Sequence, residues 1–386
     1  MNMTDFIKGI TPIPPRNQVV DQHEWLNIHH AASKEVYTYG VFSKELEARL
    51  SAYTDNKLCL LCNSGSSANL LAVSALTSDE LGSRRLVKGD EVITTALSFP
   101  TTVNPIIQNG LTPVFVDIQL PYYTPIIDFE DFQKAAILTH MFGNPITIER
   151  FSDWLILDCC DALGSSFYRG DINTFSFYPA HHITMGEGGA CVTNDPLLYK
   201  VMRSFRDWGR ACWCEAGQDN KCGHRFDGDY DHKYTYSHIG YNLKSTELNA
   251  AIGVAQFGKL SSFVEARKQN FRKYYNGLKD LEDVFILPEP SPGTDPSWFG
   301  FPLVFRDRPV QDFCRVLEEK YKIANRRMFA GNVLRQPAYK NIQHRIIGNL
   351  DNTNMVMDSG FWLFLSPSLT GEMMEYVLEV IHAEVK

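Results

Sequence analysis

The chain has 386 residues, of which 44% are hydrophobic and 21% charged, and it carries a formal net charge of -8. Such a composition is globular and excludes collagen, coiled coil and wholesale disorder. The acidic balance, without any Lys/Arg cluster, excludes a surface that neutralises many phosphates, so no nucleic acid is expected as a partner.

In chain order, Ser43 to Tyr53 places Leu46, Leu50 and Tyr53 on one helical face. Lys57 to Cys62 is a short apolar run ending in Asn63-Ser64-Gly65. Glu91–Thr95, Pro113–Asp117, Ala135–Thr139 and Trp154–Asp158 are further apolar runs. Their starts lie about 20 residues apart, which predicts βα units and a mostly parallel sheet buried on both faces. The pattern changes after residue 255. Trp298–Phe305 reads as a strand. Val310, Phe313, Leu317 and Tyr321 make one helical stripe, and Met374, Val377, Ile381 and Val385 another. A Pro/Gly/Ser-rich link, Pro288–Ser297, separates parts of this region. The expected organisation is a large α/β domain over 1–255 and a smaller α+β domain over 256–386. The longest apolar stretches, such as Trp154–Leu157, are far too short for a membrane span. Met1–Pro15 has no basic-then-apolar signal pattern, so a cytoplasmic location is expected. The nine cysteines then read as reduced thiols or metal ligands.

Four stretches carry chemistry. Asn63-Ser-Gly-Ser-Ser-Ala-Asn69 follows a strand and opens a helix. Small residues there let the backbone approach a ligand, and the helix N-terminus offers N–H groups to an anion. An ordinary Ser-capped turn would look the same. Asp158-Cys-Cys-Asp161-Ala-Leu-Gly164 stands at the C-terminal end of a strand, where open α/β sheets bind ligands. A buried Asp there could hold a cationic ring nitrogen or simply cap a helix. Phe175-Ser-Phe-Tyr-Pro-Ala-His181-His182-Ile-Thr-Met-Gly-Glu187-Gly-Gly189 is dense in polar groups and glycines between two strands. Cys212-Trp-Cys214 and Cys222 put three thiols in one polar loop, which reads as metal binding with the metal open. Zinc would accept the three with His224 nearby. Cys59, Cys62, Cys191 and Cys314 read as buried apolar thiols.

The first three motifs, in this order and spacing, resemble the sugar aminotransferase family of pyridoxal-phosphate enzymes. The resemblance extends through Phe99-Pro-Thr-Thr, Phe142-Gly-Asn-Pro, His232 to Asn242 and Phe329-Ala-Gly-Asn, nearly the whole chain. It implies an aspartate aminotransferase-like fold (fold type I), with a large mixed, mostly parallel sheet. Typical members carry the lysine that joins the cofactor six residues before the Glu-Gly-Gly, and this chain has His181 there. An imidazole forms no stable imine. His181 therefore leaves the cofactor non-covalently held as pyridoxamine phosphate, while an imidazole can still act as a general base. That argues against plain transamination and toward the 3-dehydratase branch, nearest to the 3-dehydrases of 3,6-dideoxyhexose biosynthesis.

The resemblance implies site residues. Gly65, Ser66, Ser67 and Ser176 hold the cofactor phosphate, Phe99 stacks on the ring, and Asp158 pairs with the ring nitrogen, with Asp161 close by. Asn242 reaches the cofactor of a second subunit, which implies a homodimer with shared active sites. His181 is the base; His182 and Arg326 are weaker candidates for contact with a nucleotide-linked 4-keto-6-deoxyhexose. The cluster-containing dehydrases imply a [2Fe–2S] cluster on Cys160, Cys212, Cys214 and Cys222, fed by an NAD(P)H-dependent flavin/iron–sulfur reductase. The segment from Cys160 to His181 is shorter than in those relatives. Alternatives are a cluster-free dehydratase that regenerates its cofactor with glutamate, a zinc-stabilised aminotransferase relative, and a non-catalytic binding protein of the same fold.

Overall fold

A computed structural model describes residues 6–14, 19–127, 133–147, 152–214 and 218–385. Residues 215–217 of the cysteine loop lie outside the described residues. The chain runs α1 (Gln22–Ala32), α2 (Val41–Tyr53), β1 (Leu58–Cys62), α3 (Gly65–Ala75), β2 (Glu91–Thr95), α4 (Pro100–Gln108) and β3 (Thr112–Val116). A small hairpin follows, β4 (Ile118–Gln119) and β5 (Thr124–Pro125). Next come β6 (Gln133–Thr139), β7 (Ser152–Asp158), β8 (Ile172–Ser176), β9 (Gly189–Thr193), α5 (Pro196–Arg206), α6 (Glu247–Phe257) and α7 (Leu260–Leu278). The remainder is β10 (Phe285–Ile286), β11 (Gly300–Phe305), α8 (Gln311–Glu319), β12 (Asn325–Arg327), β13 (Arg345–Ile346), α9 (Asp351–Ser359), β14 (Gly360–Phe364) and α10 (Gly371–Val385).

Eight strands form one sheet in the order β1-β9-β8-β7-β6-β2-β3-β13. From β8 to β13 every pair is parallel, and β9 runs antiparallel to both β1 and β8. The alternation of side chains explains why the runs read as continuously apolar. Cys59, Leu61, Ile93, Leu155 and Leu157 face α2 and α6, packing with Leu46, Leu50 and Ala251. Leu60, Cys62, Val92, Trp154 and Ile156 face the other way, onto Leu71 of α3 and Val201 of α5. Each face is therefore a core, and each large side chain removed from water contributes about 1.5–3 kcal/mol.

A second, antiparallel sheet has the order β10-β11-β14-β12. Its core gathers Phe301, Leu303, Phe305, Phe361 and Leu363 with Phe271 and Tyr274 of α7 and Val377 of α10. The expected boundary at 255/256 falls inside α6, and α7 carries the chain onward to the second sheet. Two segments cross between the layers. Ile13 bridges to Ile323 of the second part, and β13 returns to pair with β3. Among the described residues no helix is long and apolar enough to cross a membrane.

Candidate active site

The C-terminal ends of the parallel strands and the start of α3 meet in a cavity of about 370 Å³. Each functional group arrives by a local rule. β1 ends at Cys62, and Ser64 caps α3 by accepting a hydrogen bond from the Ser67 amide at 3.1 Å. The first turn, Gly65 and Ser66, lines the cavity with its free end turned to it. Gly65 is required by space. A Cβ there would lie 2.5 Å from the Ser176 Cβ and 3.0 Å from the Cys160 Sγ. Gly189 is required too, because a Cβ would strike the Ser64 carbonyl as β9 passes the turn.

Asp158 is the last residue of β7 and is buried. Its Oδ2 accepts from Asn69 Nδ2 at 2.8 Å and Thr102 Oγ1 at 2.7 Å, and its Oδ1 from the Cys160 amide at 3.2 Å. Asn69 is itself fixed by Thr174, whose hydroxyl donates to Asn69 Oδ1 at 2.6 Å. A carboxylate held this rigidly is suited to face a cationic ring nitrogen. Phe99, half-exposed, stands at the cavity wall just before α4.

His181 sits in the turn between β8 and β9, its amide donating to the Tyr178 carbonyl at 2.9 Å. The imidazole lines the cavity, with its ring 5.2 Å from that of Phe299. Its Nδ1 lies 3.5 Å from Asp161 Oδ1. Burial, aided by Arg267, pushes the His181 pKa down to about 3, below the ordinary imidazole value of 6.5. Burial, aided by Asp158, pushes the Asp161 carboxyl up to about 8. At neutral pH the pair is therefore uncharged, and the His181 imidazole is in the unprotonated form that a base requires. No lysine lines the cavity among the described residues. These residues fit a pyridoxamine phosphate: a cradle that a Cβ would fill, a fixed carboxylate, an aromatic wall, and a base with no amine to compete for the cofactor.

Several predicted residues lie elsewhere. Ser67 follows the cavity-lining pair and is occupied in the Ser64 cap. Asn242 bridges to Asp207 and accepts from Lys244 Nζ at 2.6 Å, outside the cavity. His182 turns the opposite way from His181, its ring Nε2 2.9 Å from the Ser297 carbonyl, so it does not reach the cavity. Arg326 extends along β12 past the Phe364 ring toward Glu318. Neither lines this cavity. Cys212, Cys214 and Cys222 do come together, with every sulfur within 4.8 Å of the others. The Cys212 and Cys222 sulfurs are 4.0 Å apart. Cys160 does not join that triangle. Its amide is tied to Asp158 and its side chain lines the cavity beside Gly65. The trio thus fits three ligand positions of a metal centre, and the expected fourth stays with the cofactor site.

Sequence reasoning passed over Thr102 and Asn69, although both stand in quoted motifs. It also passed over Phe299, Phe329, Tyr178 and Glu187, which complete the walls. Arg267, on α7, left no signal in the sequence.

Residues 19–382 match the DegT/DnrJ/EryC1/StrS aminotransferase family. The chain belongs to this family. It is 44% identical to the lipopolysaccharide biosynthesis protein RfbH of Salmonella typhimurium, over 97% of this chain and 92% of that protein. It is 42% identical to the dTDP-4-dehydro-2,6-dideoxy-D-glucose 3-dehydratase of Saccharopolyspora spinosa, over 97% of this chain and 87% of the other. Among solved structures, GDP-4-keto-6-deoxy-D-mannose-3-dehydratase of E. coli with bound hydrated pyridoxal phosphate superposes with a TM-score of 0.83. It is 26% identical and covers 95% of this chain and 98% of its own. The fold is thus that of the fold type I pyridoxal-phosphate enzymes, as the resemblance implied.

Proposed function

We propose that the protein removes the C3 hydroxyl of a nucleotide-linked 4-keto-6-deoxyhexose, with pyridoxamine phosphate held in the cavity, in 3,6-dideoxyhexose biosynthesis for lipopolysaccharide. The carrying observation is His181, in place of a lysine, lining a cofactor cavity that no lysine lines among the described residues. The names of the RfbH and 3-dehydratase relatives support it.

The cofactor, when bound, supplies the amine that condenses with the C4 ketone and a ring that accepts electrons. Gly65, Ser66 and Ser176 hold its phosphate against the start of α3, and Phe99 covers its ring. Asp158, braced by Asn69 and Thr102, keeps the ring nitrogen protonated. His181 takes a proton from the methylene carbon of the cofactor and can deliver it to the departing C3 hydroxyl. Asn242 serves the cofactor site of a second subunit in a homodimer.

The finer reading assigns Cys212, Cys214 and Cys222 to a [2Fe–2S] cluster supplied by an NAD(P)H-dependent flavin/iron–sulfur reductase. The clustering of three sulfurs supports a metal centre. Cys160, the fourth ligand by resemblance, lines the cofactor cavity and stands apart from the other three. The test is an anaerobic visible and EPR spectrum before and after dithionite, with turnover of CDP-4-keto-6-deoxyglucose assayed alongside. A reducible iron–sulfur signal with dehydration supports the whole reading. Dehydration without iron, sustained by glutamate, refutes the cluster and leaves the dehydratase. Absence of both pyridoxamine phosphate binding and turnover refutes the enzyme reading.

A further inference from the structure

Behind His181, away from the cofactor cavity, α7 presents Arg267. The side chain is 3% exposed. It forms no ion pair among the described residues. A guanidinium buried without an anion is costly, and an apolar side chain of similar volume would generally be more stable there. Two backbone carbonyls compensate it. Nη1 donates to the Phe299 carbonyl at 2.9 Å and Nη2 to the His181 carbonyl at 3.3 Å. Nε has no partner. The adjoining gap, lined by His181, His182, Gln256 and Phe263, is only about 10 Å³, room for at most one water.

Those two carbonyls belong to opposite walls of the cavity. His181 lies on the turn after β8, and Phe299 enters β11 of the second sheet; their rings face each other at 5.2 Å. One rigid fork thus joins the two layers at the reacting residue. We propose that Arg267 is a positioning residue for His181: it fixes the backbone of the His181 turn against Phe299 and closes the back of the imidazole with a buried positive charge. The inference rests on the reading of His181 as the base.

The charge has a consequence with a definite sign. The groups that face the imidazole are Asp161 at 3.5 Å, His182 and Arg267 behind it, and Asp158, Tyr178 and Glu187 around the cavity. Arg267 and burial both oppose protonation of His181. Loss of Arg267 removes the positive charge and opens the gap to water, so both changes favour the imidazolium.

The test follows the ring resonances of His181 in cofactor-free protein carrying labelled histidine, assigned by their loss in His181→Asn. The wild-type ring should stay neutral down to pH 5. In Arg267→Ala the midpoint should rise by about two pH units or more, into the range between about 5 and 7. Arg267→Lys, which keeps the cation, should restore the wild-type behaviour. A ring that stays neutral at pH 5 in Arg267→Ala overturns the inference. So does an Arg267→Lys protein that titrates like Arg267→Ala, because a disturbed fold and not a lost cation would then have moved the histidine. If Arg267→Ala does not fold, Arg267→Gln must shift the ring in the same direction, and its failure to do so is equally decisive. His181→Asn separates the two claims: undiminished dehydration of CDP-4-keto-6-deoxyglucose by that variant refutes the base, while the titration still decides Arg267.

Discussion

Replacing Asp161 with asparagine should change how stability depends on pH, with little change in shape. In the folded protein burial, aided by Asp158, raises the Asp161 pKa to about 8, against an ordinary value of 3.8. Between those values the native state keeps a proton that the unfolded chain has released. The sign follows from linkage: the stabilisation from Asp161 is complete below the unfolded pKa and is lost as pH rises toward 8. At full strength the slope is about 1.4 kcal/mol per pH unit, and the whole displacement has a ceiling of about 6 kcal/mol. Water penetration and the effective dielectric of real interiors reduce this, and about 2–3 kcal/mol is the working expectation. The amide of Asp161→Asn cannot ionise, so the variant should gain on the wild type steadily from pH 5 to pH 8. His181 titrates in the opposite sense, its contribution lost as pH falls from its unfolded value toward 3, but it is present in both proteins and largely cancels in the difference. Urea denaturation of the cofactor-free proteins at pH 5, 6, 7 and 8 gives the difference directly. Parallel stability curves, or a variant that loses ground as pH rises, would refute the electrostatic account of this buried acid.

Gly65→Ala should cost about 1–3 kcal/mol of stability, since its Cβ would press on Ser176. It should also weaken pyridoxamine phosphate binding by about tenfold or more, which fluorescence titration measures; unchanged affinity would remove Gly65 from the cradle. His181→Asn should bind pyridoxamine phosphate nearly as well as the wild type and dehydrate the keto sugar about 100-fold more slowly or worse. Glu247→Ala should lower stability by about 3 kcal/mol, read from thermal or urea unfolding. The Glu247 carboxylate accepts from the Gly40, Phe42 and Ser43 amides at 2.8, 2.6 and 3.1 Å, and from the Ser43 hydroxyl at 2.6 Å. It is the anion at the N-terminus of α2, and a variant of wild-type stability would mean those donors find water.

The strands and helices that build the two cores were legible because periodicity is a local property. Trp154–Asp158 alternates between two faces and reads as a doubly buried strand whatever surrounds it. Gly65, Asp158, Ser176 and His181, which the resemblance marked, line the cavity because each stands at the end of a strand or in its turn. The distance from Cys212 to Cys222 was short enough for one loop to gather three thiols. Tertiary structure decided the rest. The brace on Asp158 comes from Asn69 and Thr102, 89 and 56 residues away, and no local pattern specifies that meeting. His181 and His182 are neighbours in sequence, yet one lines the cavity and the other bonds to Ser297 on its far side. Cys160 stays with the cofactor site, and Arg267 arrives from a helix 86 residues beyond the histidine it holds. The local chain sets which groups are offered at a strand end. How far they are shut from water, and which charge stands behind them, depends on which distant layers pack there, and that burial fixes the protonation states on which the chemistry runs.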